Sequence, residues 1–388
     1  YALVMNKSPI KVLLVEDSPI ALKVLCDLLN SSPDIVVVGT CGNGKDALIA
    51  IPKEEPDVIC TDLYMDGMSG LELTQQIMAT CPKPILVISV AVRPEDSHNT
   101  QALLKAGAVD MWPKPSSGLE SDYENAKATL MTKIKVLAGV KVFKRPLTAS
   151  SRTSSATETR VTTQASSRLT TADVESPLKM QTAVERLTAN HLRKAAANAQ
   201  RNERIQIVAI GASTGGPQAV SSVISQFDST FPIPILCTQH ISTGFLQGLV
   251  DCMAVDWQMR VKVAEDGECP LPGIVYYAPE QHHLSFDPSG NFAYGEAAPD
   301  DLHCPSVNVM FESIARSYGQ SALGILLTGM GRDGAAGLKA ISDVGGVTIA
   351  QDEATSIVFG MPREAIELGA AQHVLPLHDI AAHVIAKL

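Results

Sequence analysis

From Lys11 to Leu137 the chain alternates short β-branched runs with amphipathic stretches, and this alternation restricts the possible folds more than any other feature. The runs are Val12–Val15, Ile35–Val38, Val58–Thr61, Ile85–Ser89 and Val109–Trp112. Helical spacing separates them at Ala21–Leu29, Lys45–Ile51, Leu71–Ala79 and Asn99–Ala106, and a last helical stretch lies near Asp122–Leu137. Five such alternations predict a parallel sheet with helices on both faces, a (βα)5 domain over residues 8–140.

Strand-like runs return at Ile207–Ile210, Ile233–Thr238, Ile274–Tyr277, Leu323–Leu327 and Val347–Ala350. They predict a second, doubly wound α/β domain over residues 204–388. A chain of 388 residues is too long for one ordinary core, so two domains and a connector suit it. The connector is residues 141–203. Between Thr148 and Ala172, 14 of 25 residues are Ser or Thr with no apolar periodicity, which predicts disorder. From Lys144 to Arg204 there are 11 Lys or Arg against 5 Asp or Glu, so the connector is basic. Its end, Gln181 to Gln200, aligns Val184, Leu187, His191 and Ala195 on one helical face. That helix either packs on the second domain or stands free.

The formal charge of −10 and an aromatic content of 4% argue against nucleic-acid binding. The eight cysteines form no C-x-x-C pair and read as reduced thiols of a reducing compartment. No apolar run reaches the roughly 20 residues that span a bilayer. The start lacks a signal-peptide layout, and Met5 is a candidate initiator. The expectation is a cytoplasmic protein without membrane insertion.

Glu16 and Asp17 end the first run and Asp62 follows the third. In a sheet of order 2-1-3-4-5 these strands are neighbours, so three carboxylates converge on one crevice. Unpaired, they would repel one another. A hard cation such as Mg²⁺ resolves this and keeps coordination sites for a phosphate. Ser89 ends the fourth run and Lys114 follows the fifth, where a hydroxyl and an ammonium would meet phosphoryl oxygens. The set suits phosphoryl transfer to Asp62. The competing reading is that Glu16 and Asp17 cap the next helix.

Val15-Glu16-Asp17-Ser18, DLYMDGMSG from Asp62 to Gly70, the strand ending in Ser89, and Lys114-Pro115 together resemble the response-regulator receiver family. The resemblance implies phosphorylation of Asp62, Mg²⁺ held by Glu16, Asp17 and Asp62, and readout by Ser89 and Lys114. Asp66 stands where that family often has Pro, and Met111 where it often has an aromatic switch residue. Trp112 and Pro113 beside Lys114 are also unusual.

Gly211-Ala212-Ser213-Thr214-Gly215-Gly216-Pro217 follows an apolar run and precedes a helical pattern, fitting the G-x-S-x-G turn that exposes a serine hydroxyl. Such glycine-rich turns bind phosphates at least as often. His240 ends the next apolar strand, and Asp333 sits in TGMGRDG just after another. His240 would take the proton of Ser213, and Asp333 would orient the imidazole. The order Ser–His–Asp differs from the Ser–Asp–His of α/β-hydrolases, so the fold is another one. His282, His283, His303, His373 and His378 lack metal-ligand spacing; His283 and His303 are candidates to line the cleft. Arg332 and Arg363 read as surface ion pairs or as contacts to an acidic substrate.

IGASTGG from Ile210, Thr238-Gln239-His240, APEQHH from Ala278, Pro305-Ser306-Val307, LTGMGRDGAAG from Leu327 and FGMPREA from Phe359 resemble the chemotaxis protein-glutamate methylesterase (CheB) family. The resemblance implies a Ser213–His240–Asp333 triad and an oxyanion hole using the Met330 N–H, with Thr214 N–H as a second donor by the logic of the turn. The reaction implied is hydrolysis of glutamyl methyl esters on chemoreceptors, with glutamine deamidation by the same apparatus. A histidine kinase would supply the phosphoryl group, and the hydrolase half would need no cofactor. Cys304, Asn308 and Glu280 depart from the family's usual Arg, Asp and Gly. Three alternatives stay open on the residues alone: a nucleotide-binding second domain, a DNA-binding one, and an esterase for another ester.

Overall fold

The computed structural model describes residues 8–89, 97–114, 120–145, 204–298 and 301–388. The expected disorder and helix of the connector lie outside these residues.

The N-terminal domain runs β1 (Ile10–Val15), α1 (Pro19–Asn30), β2 (Ile35–Cys41), α2 (Gly44–Glu54), β3 (Val58–Thr61), α3 (Gly70–Thr80), β4 (Ile85–Ser89), α4 (Ser97–Ala106), β5 (Asp110–Pro113) and α5 (Glu120–Leu137). The strands pair in the order β2-β1-β3-β4-β5, all parallel. Local chemistry fixes where the helices begin. Ser18 caps α1 by accepting the Ala21 N–H, and Pro19 occupies the first turn, where a missing N–H costs nothing. Ser69 and Glu72 close a reciprocal capping box on α3.

The C-terminal domain comprises β6 (Ile207–Ala212), α6 (Gly216–Ile224), β7 (Ile235–Gln239), α7 (Leu246–Asp256), β8 (Arg260–Val263) and β9 (Ile274–Tyr277), then the hairpin β10 (His283–Phe286) and β11 (Phe292–Gly295). It continues through α8 (Val307–Tyr318), β12 (Ala322–Leu326), α9 (Ala335–Asp343), β13 (Val347–Gln351), α10 (Met361–Glu367), β14 (His373–Leu375) and α11 (Leu377–Ile385). Seven parallel strands follow the order β14-β13-β12-β6-β7-β9-β8. Alternate residues of β6 feed the two faces of this sheet. Val208 and Ile210 join α6 and α11 through Val220, Val223, Ile380 and Val384, whereas Ile207 and Ala209 join α8 and α9 through Met310, Phe311 and Leu338. Fully burying one such large side chain contributes roughly 1.5–3 kcal/mol.

The chain leaves β6 for β7 on one side and returns on the other as β12. This reversal opens a crevice beyond the carboxyl ends of three adjacent strands, where open α/β sheets hold their ligands.

The two domains share buried clusters. Phe245, just before α7, is fully buried in a cluster with Leu103, Ala108 and Met111. Ile357 and Val358 pack against the cluster containing Trp112, Leu130 and Ile134. Lys105 pairs with Asp256 at 2.5 Å, in a half-exposed setting where such pairs contribute little. Among the described residues no helix is long and apolar enough to cross a membrane.

Candidate active site and phosphoacceptor pocket

In the N-terminal domain, Glu16, Asp17 and Asp62 bring one carboxylate oxygen each within 4.8 Å of one another. Glu16 and Asp62 are buried and Asp17 is exposed. The cap of α1 is Ser18, so these carboxylates are not spent on the helix end, although Glu16 accepts the Ser18 N–H at 3.1 Å. Lys114 reaches into the cluster, 2.5 Å from Asp62 and 2.7 Å from Glu16. Burial works against its charge, but its hydrogen bonds to Asp62 and Glu16 outweigh that and raise its pKa. The Ser89 hydroxyl is fully buried and has no hydrogen-bond partner among the described residues. A buried donor left unpaired costs about 1–3 kcal/mol, so an acceptor arriving beside it would be stabilised. Hard oxygen ligands around a crevice fit a divalent cation.

In the C-terminal domain the structure brings the serine, histidine and aspartate of the sequence reading to adjacent strand ends. Ser213 follows β6, His240 follows β7, and Asp333 lies beyond β12. His240 Nε2 is 2.8 Å from Asp333 Oδ2, and His240 Nδ1 is buried without a partner among the described residues. Nδ1 is thus the ring nitrogen that Asp333 does not engage. The Ser213 hydroxyl makes no hydrogen bond with another described residue. Backbone contacts set its place: its N–H donates to Thr328 O at 3.0 Å, and its carbonyl accepts the Gln239 amide at 2.8 Å. Gly215, at φ +75°, adopts the left-handed turn that a side chain resists. Gly329 lets the next loop close on the serine, since a Cβ there would lie 2.8 Å from Ser213 Cβ and would strike the Met361 sulfur. Neither Thr214 N–H nor Met330 N–H donates to another described residue; Met330 lines the adjoining cavity and Thr214 is buried.

Asp333 is the most heavily bonded side chain of the site. Oδ1 accepts from the Ser306 hydroxyl, Asn308 N–H and Gly334 N–H at 2.9, 2.9 and 3.0 Å. Oδ2 accepts from Val307 N–H at 2.7 Å besides His240. Burial opposes its ionisation, yet the hydrogen bond and charge of His240 and the Asn308 and Val307 N–H groups hold it well below the usual carboxylate range.

Several supporting contacts escaped the sequence reading. The Gln239 amide donates to both Ser213 O and His240 O. Thr328 ties the serine turn to the 352–360 loop through Thr214 O and the Val358 N–H. Asn308 accepts the Gly334 and Gly337 N–H groups, and Glu280 accepts those of Gly244 and Leu246. Polar residues at the ends of apolar strands were the available signal for Gln239 and Thr328.

A cavity of about 810 Å³ opens on Met330, Asp333, His303 and Arg332 and reaches Val136 of α5. His303 lines it. His283 does not: it is buried behind the wall, where Nδ1 accepts the Ser306 N–H and Nε2 pairs with Asp301 at 2.9 Å. Arg332 is exposed and pairs with no described residue, and Arg363 makes only long contacts to Glu364 and Glu367. Across the domain boundary, the Thr214 hydroxyl donates to Asp110 Oδ2 at 3.1 Å, and Lys133 holds the same oxygen at 2.6 Å. The thiols of Cys60 and Cys237 are buried, and burial pushes Cys60 up to about 12.

The family profile described as response regulator receiver domain matches residues 12–120, and that described as CheB methylesterase matches residues 208–384. A protein-glutamate methylesterase/protein-glutamine glutaminase from Nitrosospira multiformis is 37% identical over 96% of this chain and 95% of its own. This chain belongs to the CheB methylesterase family. A Syntrophus aciditrophicus protein named protein-glutamate methylesterase/protein-glutamine glutaminase 1 is 36% identical over 98% of both chains. The catalytic domain of Thermotoga maritima CheB is 36% identical, with a TM-score of 0.46 over 47% of this chain and 99% of that one. Membership in the CheB family accounts for a receiver and a hydrolase in one chain.

Proposed function

We propose that this protein hydrolyses glutamyl methyl esters on chemoreceptors, and glutamine amides by the same route, under control of phosphorylation at Asp62. The observation that carries the reading is the His240–Asp333 hydrogen bond at the strand end next to Ser213, in a chain of this family. The Ser213 hydroxyl attacks the ester carbonyl while His240 Nδ1 takes its proton. Thr214 N–H and Met330 N–H donate to the carbonyl oxygen as it becomes an oxyanion, a contact for which the loss of one donor typically costs ~3 kcal/mol. The imidazolium, stabilised by Asp333, returns the proton to the methoxy oxygen and methanol leaves. Water then adds to the acyl-serine, giving its proton to His240, and collapse restores Ser213 and releases a glutamate carboxylate.

In the receiver, Glu16, Asp17 and Asp62 would hold Mg²⁺, whose charge offsets that of the incoming phosphoryl group. The donor is a histidine kinase of the chemotaxis pathway. Lys114 and Ser89 then bind phosphoryl oxygens. The unphosphorylated receiver, joined to the serine turn through Asp110 and Thr214, restrains the esterase. The receiver spans residues 8–140, the connector 141–203 and the esterase 204–388. The protein acts in the cytoplasm, without nucleic acid and without entering the membrane.

Methanol release from methylated receptor membranes, with and without a small-molecule phosphodonor, tests the reading. Ser213→Ala should abolish release, and Asp62→Asn should abolish only the response to the donor. Release surviving Ser213→Ala would eliminate the triad.

A further inference from the structure

The relay accounts for both nitrogens of His240 but not for what lies on its face. The His303 ring stacks there, its centroid 4.1 Å away and its plane inclined by 15°. His303 precedes the cap of α8 by three residues and makes no hydrogen bond with another described residue. Among the described residues its nitrogens have no partner, and what it presents to His240 is a flat surface.

That surface meets a mechanical need. Asp333 grips His240 at the single atom Nε2. One hydrogen bond at one end of a ring leaves the ring free to rock about that contact, and rocking carries Nδ1 toward or away from Ser213. A second ring laid flat on the first removes the rocking mode at almost no entropic cost.

We propose that His303 is a positioning residue for hydrolysis, whose ring fixes the plane of His240 so that Nδ1 stays directed at the serine hydroxyl. This rests on the reading of His240 as the general base. The charged and titratable groups around His303 are His240 and Asp333 at the strand ends, Lys133 of α5, Asp301 two residues before it, itself paired with His283, and Arg332, Arg363 and Glu364 on the cavity that His303 lines. Burial and the neighbouring His240 push its pKa down to about 4. It therefore stays neutral while His240 becomes charged beneath it, and no like charge opposes the imidazolium.

The test compares full-length wild type with His303→Phe, His303→Leu, His303→Ala and Ser213→Ala in methanol release across pH 5–9. Thermal unfolding is followed in parallel. Phe keeps a flat, neutral ring, so kcat should stay within about threefold and the acid limb of kcat/KM should not move. Leu and Ala offer no plane, and kcat should fall roughly 10–100-fold at unchanged KM, the scale of a small misplacement of a reacting group. Phe as damaging as Leu would overturn the inference, as would Leu or Ala at wild-type kcat. An acid limb lost in the Phe variant would make His303 itself the base, which also overturns it. Activity in Ser213→Ala would sink the relay instead, a result separable from those at position 303.

Discussion

Replacing Asp333 with Asn and with Ala should separate what this carboxylate does for the fold from what it does for the reaction. Its two oxygens accept five hydrogen bonds, three of them from backbone N–H groups at Val307, Asn308 and Gly334. Gly334 has a second acceptor in Asn308 Oδ1, and the Ser306 hydroxyl can rotate. Ala therefore strands one buried backbone donor, Val307 N–H, and one half-buried donor, Asn308 N–H, in the first turn of α8, at about 1–3 kcal/mol each, and removes a negative charge from that helix start. The expected loss is about 2–6 kcal/mol, a large part of the stability of an ordinary domain. Asn keeps one acceptor oxygen. Whichever way its amide turns, one backbone donor is stranded, either Val307 N–H or Asn308 N–H, so the expected loss is about 1–3 kcal/mol. In both orientations the charge that stabilises the imidazolium is gone, which typically costs about 10⁴ in turnover. Urea unfolding measures the first quantity and methanol release the second. The reasoning fails if Asp333→Asn turns over within about tenfold of wild type, where the orienting charge should matter far more. It fails equally if Asp333→Ala costs no more stability than Asp333→Asn.

Three further outcomes follow from the same contacts. Glu280→Ala removes the acceptor of the Gly244 and Leu246 N–H groups at the start of α7 and should lower stability by about 1–2 kcal/mol in urea unfolding, with a smaller fall for Glu280→Gln. Asp110→Ala frees the serine turn from the receiver, so release without phosphodonor should rise about 2–10-fold, the equivalent of one hydrogen bond; an unchanged basal rate would remove this contact from the restraint. Acid should destabilise the protein in two stages. His303, near 4 when folded against about 6.5 unfolded, binds its proton first in the unfolded chain, so stability falls by at most about 3 kcal/mol between pH 6.5 and 4. Asp333, depressed in the fold, adds its loss at lower pH still, as the unfolded carboxyl protonates below about 4. The urea midpoint of His303→Phe should be flatter than wild type across the first window.

The sequence carried the strand order of the receiver and the strand ends at which the candidate site residues gather, because parallel strands buried on both faces read as unbroken apolar runs. Val12–Val15 and Ile207–Ile210 are such runs, and the polar residues after them are candidates for the two sites. Arg260–Val263 and His373–Leu375 were not legible. The first is the edge strand RVKV with one exposed and three half-buried residues, and the second is three residues long. The hairpin of β10 and β11 escaped for a related reason: its strands are four residues each, and one pair of residues is His283 and Gly295. The supporting contacts were also hidden. Asn308 and Asp333 are 25 residues apart and meet only because α8 starts where the loop after β12 turns back. The stack of His303 on His240 joins residues 63 positions apart, and no local pattern encodes it.

The segments of Ser213 and His240 each carry a contact to the receiver, that of Met330 and Asp333 is tied to it through the 352–360 loop, and β5 meets all three. Thr214, next to the serine, bonds to Asp110. The loop after His240 ends in Phe245, buried in a cluster with Met111. The 352–360 loop pairs with Gly329 beside Met330 and lays Ile357 and Val358 on the cluster of Trp112. Asp110, Met111 and Trp112 are successive residues of one strand, and Lys114, two residues on, grips Asp62 while its N–H bonds to Ser89 O at 2.7 Å. A phosphoryl group of nearly two negative charges on Asp62 would draw Lys114 into a new set of contacts. Moving an equilibrium from 1:99 to 99:1 takes about 5.5 kcal/mol, and phosphate can supply it only as a difference between the two arrangements. A buried Phe, two half-buried aliphatics, the Thr214–Asp110 and Gln218–Ala108 hydrogen bonds and the half-exposed Lys105–Asp256 pair hold the two domains together by an amount of that same order. A short, stiff strand with the switch at one end and the contacts along its length requires no longer route.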